Sequence, residues 1–332
     1  MRFPLSLNLS LSLYLLKQRA LRKEKFPLVL MLEPLHACNL KCAGCGRIKE
    51  YESTINEIMP LETALKAVDE CGAPVVSVTG GEPLLYQQIG ELIGELVQRK
   101  KHIYLCTNGM LLERFMKKFK PNKFLHINVS LDGMAETHDK ISGEKGVFDK
   151  AINGIKKARA AGFRVCTNTS LYKETDLSEI ERLFNFLKSI DINGILVAPA
   201  FEYDVLSKNI FLEKQKTNKQ FEFISKISKT LPIMSTPLYL KFLKGERHLE
   251  CTPWGNPTYN PQGWKSPCYL ITDTHYKTFE ELMAKTDWSK YGTGYDARCA
   301  NCMMHCGFEP TVVREVGKNF SDLWEMIVWN FT

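Results

Sequence analysis

Between residues 28 and 199 the sequence alternates short apolar runs with longer amphipathic stretches of helical period. Each apolar run has the length of a buried strand, and each amphipathic stretch has the length of a helix. Strands and helices that alternate in this way form a parallel sheet with right-handed crossovers. The six predicted strands cover residues 28–33, 75–78, 103–106, 125–131, 163–168 and 194–198.

Six such units predict an α/β fold built as a partial (β/α)6 barrel of the TIM type. Full closure would need two more units, and the alternation stops after Pro199. The chemistry of such a barrel lies in the loops that follow the strands. We expect three regions: an N-terminal apolar and basic helix in residues 1–26, the core barrel in residues 27–230, and a cysteine-rich, loop-rich extension in residues 231–332.

The N-terminal region is apolar from Leu5 to Leu16, with serine and asparagine interruptions, and basic from Arg19 to Lys25. A membrane-spanning helix needs roughly 20 apolar residues, and a signal peptide needs a small-residue cleavage site, so neither is expected here. The segment is either a helix packed on the barrel or one that lies in a membrane interface. We predict a cytoplasmic protein, with a peripheral position at the inner face of the membrane as the alternative.

The charge and cysteine content narrow the classes of ligand. A formal net charge of +7 over 332 residues is mild, and it is not concentrated in one block. It suits an anionic cofactor or an anionic lipid and is too weak to indicate nucleic acid. Eleven cysteines are many for this length. In a reducing compartment they are expected to be metal ligands or catalysts.

Three cysteines follow the first predicted strand with the spacing Cys38-x3-Cys42-x2-Cys45. Each thiolate can reach a different iron of a 4Fe–4S cube, and a set of three leaves one iron open for a small-molecule chelate. A zinc site completed by His36 is the alternative, but zinc motifs usually contain two spaced pairs of ligands. The triad therefore predicts a 4Fe–4S cluster with one open iron.

This triad, in the loop after the first strand of a β/α chain, resembles the radical S-adenosylmethionine (SAM) superfamily. The resemblance implies that the open iron chelates the amino and carboxylate groups of SAM. It also implies that reduction of the cluster releases a 5′-deoxyadenosyl radical, while the protein supplies orientation and dryness. An electron donor is then expected as a partner, either a reductase or a protein of the flavodoxin or ferredoxin type.

Residues at the ends of later strands fit the same resemblance. Gly80, Gly81 and Glu82 resemble the family's GGE motif, which lies along the methionyl amino group of SAM. Glycines allow a close approach, and Glu82 offers a charge partner for an ammonium. Contacts to the SAM ribose or carboxylate are expected from polar residues at or just past the strand ends, although Asn-Gly and Asp-Gly are also typical of turns: Asn108, Ser130, Asp132 and Asn168.

Longer stretches resemble the adenosylhopene transferase family of hopanoid biosynthesis. They cover residues 27–35, 68–77, 104–108 and 251–258, and the similarity continues through 285–292 to the last cysteine cluster. The resemblance implies that the adenosyl radical adds to the terminal alkene of hopene (diploptene), a triterpene lipid, to give adenosylhopane. The alternatives are a radical SAM maturase that abstracts hydrogen from a peptide or small molecule, and a non-catalytic iron–sulfur module.

Radical addition to an alkene leaves a tertiary carbon radical that must receive a hydrogen atom. A thiol is a suitable donor, because its S–H bond is weaker than most C–H bonds. Cys106 closes the third strand on the same face as Tyr104, so it should point into the barrel and is the predicted catalytic donor. A buried structural cysteine is the alternative. Cys166 is the second candidate, and Cys71, on a helix, is expected in the core.

A second group of cysteines lies in the extension, and it comprises Cys251, Cys268, Cys299, Cys302 and Cys306. Four of these thiols would suffice for an auxiliary iron–sulfur cluster, as in extensions of other radical SAM subfamilies. Zinc, with His305 as a spare ligand, and a metal-free region are the alternatives. The aromatic residues Trp254, Tyr259 and Trp264 either line an apolar tunnel or form the core of the extension.

Overall fold

In the computed structural model, which describes residues 2–203, 205–206 and 210–331, the six predicted strands form the parallel part of one sheet. Neighbours in the chain are neighbours in the sheet, and the register runs without interruption from the first strand to the sixth. The strands are β1 Val29–Leu32, β2 Val75–Val78, β3 His102–Thr107, β4 Leu125–Ser130, β5 Arg164–Leu171 and β6 Gly194–Pro199.

Helices precede, connect and cover these strands. The predicted helices are present, together with a short helix of polar sequence, Ala135–Ser142, that the sequence analysis did not separate from its loop. The helices are α1 Leu5–Ala20, α2 Arg47–Glu50, α3 Leu61–Cys71, α4 Ile89–Gln98, α5 Leu112–Met116, α6 Ala135–Ser142, α7 Val147–Ala160 and α8 Leu177–Ser189. Within the described residues, no helix is both long and apolar enough to cross a bilayer.

The extension is more regular than its sequence indicated. It contributes three strands, and β7 pairs in parallel with the free edge of β1 while the other two pair antiparallel. These strands have three to five residues and many polar side chains, so no apolar period marks them. The elements after β6 are α9 Lys214–Ile227, which precedes the extension, and then α10 Pro237–Leu243, β7 Thr258–Asn260, β8 Gly263–Pro267, β9 Thr272–Tyr276, α11 Phe279–Lys285, α12 His305–Glu315 and α13 Phe320–Phe331.

The strand order is β6-β5-β4-β3-β2-β1-β7-β8-β9, so the sheet is open between β6 and β9. This arrangement confirms the predicted partial barrel. Single turns of 3-10 helix complete the connections at Glu52–Thr54, Pro83–Leu85, Pro253–Gly255, Trp288–Lys290, Ala297–Cys299 and Val316–Lys318.

Alternate residues of each barrel strand face different surroundings. Leu30, Val76, Leu105, Ile127 and Val129 are fully buried in the main apolar core that the strands share with the covering helices. The residues between them face inwards and are largely polar, including Ser77, Tyr104, Cys106 and Asn128. The period of two thus separates a packed outer layer from a polar inner face.

The aromatic residues of the extension pack against one another. Trp264 is fully buried, and its ring lies 4.8 Å from that of Tyr259 and 4.9 Å from that of Phe279. Trp254 meets Trp288 edge to face, with ring centroids 5.8 Å apart. Of the two expectations for these residues, the core of the extension is the one observed.

Helix α1 packs against the end of the barrel at which the strands begin. Ser10 Oγ lies 3.2 Å from Nε2 of His102, the first residue of β3, and the Tyr14 hydroxyl donates to the Pro27 carbonyl at 2.7 Å. Leu7 and Gln18 are buried on this side of the helix. Helix α1 therefore contacts the end of the barrel opposite the cysteine triad, which follows the end of β1.

Candidate functional site

The cysteine triad occupies the loop between β1 and α2. The Cys45 amide donates to the Cys42 carbonyl at 3.2 Å, and the Leu40 amide approaches Cys38 Sγ at 3.4 Å. Burial, together with the neighbouring thiols, raises the pKa of Cys38 to about 11 and that of Cys42 to about 12. The three partly exposed thiols are therefore close enough to influence one another.

The donor set of this loop fits an iron–sulfur cluster. In the described part of the chain, no three His, Cys, Asp or Glu side chains converge on a single metal ion. A 4Fe–4S cube does not require such convergence, because each thiolate binds a different iron. Three thiols of one loop are the ligands that such a cluster takes. Cys38, Cys42 and Cys45 are thus the residues that would hold it.

At Gly80 and Gly81 the backbone after β2 packs closely against the start of the cysteine loop. The Gly81 amide donates to the Leu35 carbonyl at 3.2 Å, and the next amide, of Glu82, donates to the Ala37 carbonyl at 2.9 Å. Gly80 has a φ of 108°, and a Cβ on either glycine would overlap the backbone of residues 35–37. Glycine is required here by close packing of two backbones.

The Glu82 carboxylate is buried and joins the ends of β2 and β3. It accepts hydrogen bonds from Thr107 Oγ1 at 2.7 Å, from the Asn108 amide at 2.8 Å and from the Leu84 amide at 3.0 Å. Burial raises its pKa to about 7 despite these bonds. Its predicted contact with the SAM ammonium stays a prediction.

Asn108 is anchored towards the cysteine loop. Its side-chain amide donates to Asn39 Oδ1 at 2.9 Å, and its Oδ1 accepts from the Met110 amide at 3.0 Å. The residue thus connects the end of β3 to the segment between Cys38 and Cys42. The predicted contact of Asn108 with SAM is a separate role that stays a prediction.

Ser130 and Asp132 lie at the end of β4, Asn168 lies within β5 beside them, and all three residues are partly exposed. Ser130 and Asn168 are partners in the register, and Asp132 Oδ1 accepts from the Ser170 amide at 2.7 Å. Burial raises the pKa of Asp132 to about 6, and its carboxylate contributes to the raised pKa of Cys42. The structure therefore brings these residues to the same end of the barrel as the triad.

Tyrosines that the sequence analysis missed cover the cysteine loop. The phenol of Tyr172, just after β5, lies where a Cβ on Gly44 would be, and the ring of Tyr203 does the same at Gly46. Burial raises the pKa of both phenols well above the usual value. The signal in the sequence was the pair of glycines around Cys45, since each leaves room for an aromatic ring.

Cys106 lies on the inner face of β3, as predicted. Its thiol is 3.4 Å from Ser77 Oγ and 3.7 Å from Asn128 Nδ2, and it is partly accessible. Burial raises its pKa. Cys166, the second candidate for the hydrogen donor, is buried two strands away on β5 and donates to the Ile127 carbonyl at 3.6 Å. Cys71 is buried in the main core, as expected.

The five cysteines of the extension line one cavity. They come from three segments, which contain Cys251, Cys268 and the closely spaced Cys299, Cys302 and Cys306. Burial raises the pKa of Cys251 most, and the other four thiols raise it further. A Cβ on Gly307 would crowd the sulfur of Cys251. His305 does not line this cavity among the described residues, so the expected spare zinc ligand lies elsewhere.

A buried network of charges lies between the two groups of cysteines. The guanidinium of Arg47, two residues after Cys45, forms an ion pair with Glu33 at 3.3 Å and donates to the Tyr269 carbonyl at 2.6 Å. Lys265, fully buried, donates to Glu50 Oε1 and to the same Tyr269 carbonyl, each at 3.0 Å. Burial lowers the pKa of Lys265 to about 8. Nothing in the sequence pattern marked these residues.

Comparisons with known proteins agree with this fold. Residues 32–187, which contain the triad and the inner strand ends, match the Radical SAM superfamily. This match covers just under half of the 332 residues, and the cofactors of the superfamily are a 4Fe–4S cluster and SAM, as the resemblance of the triad implied. Residues 195–326 match a second family, described as a domain of unknown function (DUF3463).

Relatives of different activities are similar to about half of the chain. Fe-coproporphyrin III synthase of Methanosarcina barkeri is 33% identical over 52% of this chain and 44% of its own length. GTP 3′,8-cyclase of Clostridium perfringens is 33% identical over 50% of this chain and 54% of its own length. The chain therefore spans about half the length of these curated relatives, and none of these names refers to a hopanoid.

Solved structures show the same fold across most of the chain. SuiB of Streptococcus suis, bound to its precursor peptide SuiA, has a TM-score of 0.64, with 17% identity over 90% of this chain and 76% of that chain. The enzyme anSMEcpe with bound AdoMet has a TM-score of 0.59, with 18% identity over 92% of this chain and 93% of that chain. At these identities the likeness concerns the fold alone.

Proposed function

We propose that this protein is a radical SAM transferase that adds the 5′-deoxyadenosyl radical to the terminal alkene of hopene to give adenosylhopane. The class of substrate comes from the resemblance of residues 27–35, 68–77 and 251–258 to the adenosylhopene transferase family. The structural observation that supports addition, rather than hydrogen abstraction, is the Cys106 thiol on the inner face of the barrel.

The cofactor supplies one radical, and the residues of the chain determine its environment. Cys38, Cys42 and Cys45 would hold the cluster, and Gly80 and Gly81 keep their loop against β2. Contacts to SAM are proposed for the residues at the strand ends, namely Gly80, Gly81, Glu82, Asn108, Ser130, Asp132 and Asn168. The inward-facing residues Cys106 and Asn128 are partners in the register and precede Asn108 and Ser130 by two residues each.

Cys106 is the proposed hydrogen-atom donor. Addition to the alkene forms one C–C bond and leaves a tertiary carbon radical on the triterpene. Transfer of the hydrogen atom from the thiol forms a C–H bond and leaves a thiyl radical. One electron from the reductase or flavodoxin-type or ferredoxin-type partner, with one proton from solvent, restores the thiol. Ser77 and Asn128 would hold the sulfur in place, since both contact it.

The proposal is tested by incubating reduced, reconstituted protein with SAM and diploptene in D2O and analysing the products by mass spectrometry. A thiol exchanges its hydrogen with solvent, so the expected adenosylhopane carries one deuterium at the quenched carbon. Release of 5′-deoxyadenosine without a nucleoside adduct would instead indicate hydrogen abstraction, the maturase alternative. An absence of SAM cleavage by reduced protein would indicate the non-catalytic module.

The role of Cys106 is tested separately with matched cysteine variants. Cys106→Ala should lose the deuterated saturated product, whereas Cys166→Ala should retain it, because Cys166 is buried and lies two strands away from Cys106. A normal rate of deuterated product from Cys106→Ala would contradict the donor assignment while leaving the transferase proposal intact.

The five-cysteine cavity is the proposed site of an auxiliary iron–sulfur cluster. Its support is that thiols from three segments line one cavity, whose described lining contains no carboxylate and no imidazole. Soft thiolate ligands favour iron–sulfur clusters or zinc over harder metals.

A further inference from the structure

The outward face of α13 is a continuous apolar stripe. Its residues recur at intervals of three and four, which places them on one side of a helix. They are exposed, with 80% of Phe320 and 59% of Trp324 accessible, and they comprise Phe320, Leu323, Trp324, Ile327, Val328 and Phe331. A stripe of this size on a soluble domain marks a site of interaction.

The two acidic residues of α13 do not interrupt this stripe, because cations of the protein neutralise them. Asp322 is buried and accepts from both terminal nitrogens of Arg247, at 3.0 and 2.7 Å. Glu325 pairs with Lys241 at 2.7 Å. The exposed side of the helix is therefore apolar and free of uncompensated negative charge.

Helix α1 carries a second exposed stripe, formed by Leu5, Leu9, Leu13 and Leu16. Each of these residues has between 52% and 67% of its surface accessible. The helix contains no acidic residue, and Lys17 and Arg19 lie in its last turn. The exposed segment that follows adds Arg22, Lys23 and Lys25 against the single acid Glu24. An apolar stripe is thus bordered by positive charge.

The two helices lie on the same side of the molecule. The ring of Phe3, just before α1, lies 5.7 Å from that of Trp329, and its amide donates to Asn330 Oδ1 at 2.8 Å. The Arg2 guanidinium donates to the Ile233 carbonyl at 2.7 Å, next to the start of β6. We name the outward faces of α1 and α13, with the basic segment 17–25, the terminal-helix surface.

We propose that the terminal-helix surface docks the protein on an anionic lipid bilayer. Leucine, phenylalanine and tryptophan on exposed helix faces insert at the boundary between headgroups and acyl chains, and neighbouring lysine and arginine residues bind anionic headgroups. A second copy of the chain fits less well, because a symmetric contact would bring two basic segments together. The inference does not depend on the substrate proposed above.

This placement has a consequence for orientation. The terminal-helix surface lies where the barrel strands begin, as the contacts of α1 with His102 and Pro27 establish. The cysteine triad follows the opposite end of β1. A docked molecule would therefore present its cysteine loop away from the bilayer, where a soluble electron donor can reach it.

The test is sedimentation of the full-length protein with vesicles of phosphatidylcholine alone and of phosphatidylcholine with phosphatidylglycerol. Binding should require the anionic lipid and weaken with salt. Lys17→Glu with Lys23→Glu should weaken binding by about tenfold or more, since each surface cation contributes about 1 kcal/mol. Lys145→Glu, an exposed lysine in the loop between α6 and α7, is the matched control and should bind normally.

The apolar stripe is tested by Phe320→Ser with Trp324→Ser, against Tyr295→Ser as an exposed aromatic control outside both helices. Thermal unfolding of each variant verifies that it folds. Equal vesicle binding by the stripe variant and the control would overturn the proposal. The proposal would also be overturned if wild type fails to bind anionic vesicles and instead forms a dimer that the stripe variant dissociates into monomers. A second copy of the chain would then be the partner of this surface. Neither readout uses catalytic activity.

Discussion

The guanidinium carbon of Arg47 lies 3.9 Å from the centroid of the Tyr269 ring, so a cation two residues beyond Cys45 stacks on the residue next to Cys268. The same guanidinium pairs with the fully buried Glu33 at the end of β1. One side chain therefore connects the loop of the cysteine triad, the first strand and the cysteine cavity of the extension. This contact fixes the position of the cysteine triad relative to the cysteine cavity of the extension.

Replacing Arg47 should destabilise the fold strongly. Arg47→Met leaves the buried Glu33 carboxylate without its partner, and an uncompensated buried charge costs about 3–5 kcal/mol of unfolding free energy. The double variant Glu33→Gln with Arg47→Met should recover part of that loss. Arg99→Met, which breaks a surface ion pair with Asp69 and Glu95, is the control and should cost about 1 kcal/mol or less. Urea unfolding measures all three, and equal losses for Arg47→Met and Arg99→Met would refute the buried-pair argument.

Enlarging Gly44 should disturb the cysteine loop. A Cβ there would overlap the Tyr172 phenol, so Gly44→Ala must displace either the ring or the loop, at a cost of about 1–3 kcal/mol. The expected result is a lower iron content after reconstitution. Gly94→Ala is the matched control, because no atom lies within 4 Å of its new Cβ in the middle of α4, and it should stabilise the protein by about 0.5–1 kcal/mol. Full iron content in Gly44→Ala would show that the loop tolerates the shift.

The iron content should distinguish one cluster from two. Anaerobically reconstituted wild type should contain about eight irons and eight sulfides per chain, and Cys299→Ala with Cys302→Ala should contain about four of each. Cys71→Ala, which removes a core thiol outside both groups, should leave the count unchanged. A wild-type count of about four irons would reject the auxiliary cluster. Stoichiometric zinc in the cavity would instead indicate a structural zinc site.

The free energy of unfolding should decrease as the pH rises through the range between the unfolded-state and folded-state pKa values of Glu309. This carboxyl accepts from the Thr236 amide at 3.1 Å and from its hydroxyl at 2.8 Å, and burial raises its pKa to about 7 from 4.5. Between those values the folded state binds more protons than the unfolded state, so the unfolding free energy decreases with increasing pH. Glu309→Gln should flatten this slope between pH 5 and pH 8 in urea unfolding. An unchanged slope would exclude Glu309 as its source.

The sequence by itself determined the barrel and the place of the triad. Six apolar runs separated by helical stretches specify parallel strands, because a buried strand and an amphipathic helix have different periods of hydrophobicity. The same alternation puts Cys38, Cys42 and Cys45 after β1 and aims Cys106 inwards, since successive side chains of a strand face opposite sides. These features depend on local spacing, which a sequence displays directly.

The tertiary structure decided what depends on contacts between distant segments. Residues far apart in the chain meet at three places. These are the stacking of Arg47 on Tyr269, the packing of the Tyr172 ring against Gly44, and the cavity that the five thiols line. The strands β7–β9 extend the sheet because β1 has a free edge, although their own sequence carries no period. The apolar stripe of α13 is periodic in the sequence, but only packing shows that it stays uncovered. Hydrophobic pattern specifies which face a residue occupies, whereas the partner on that face is set by how the whole chain folds.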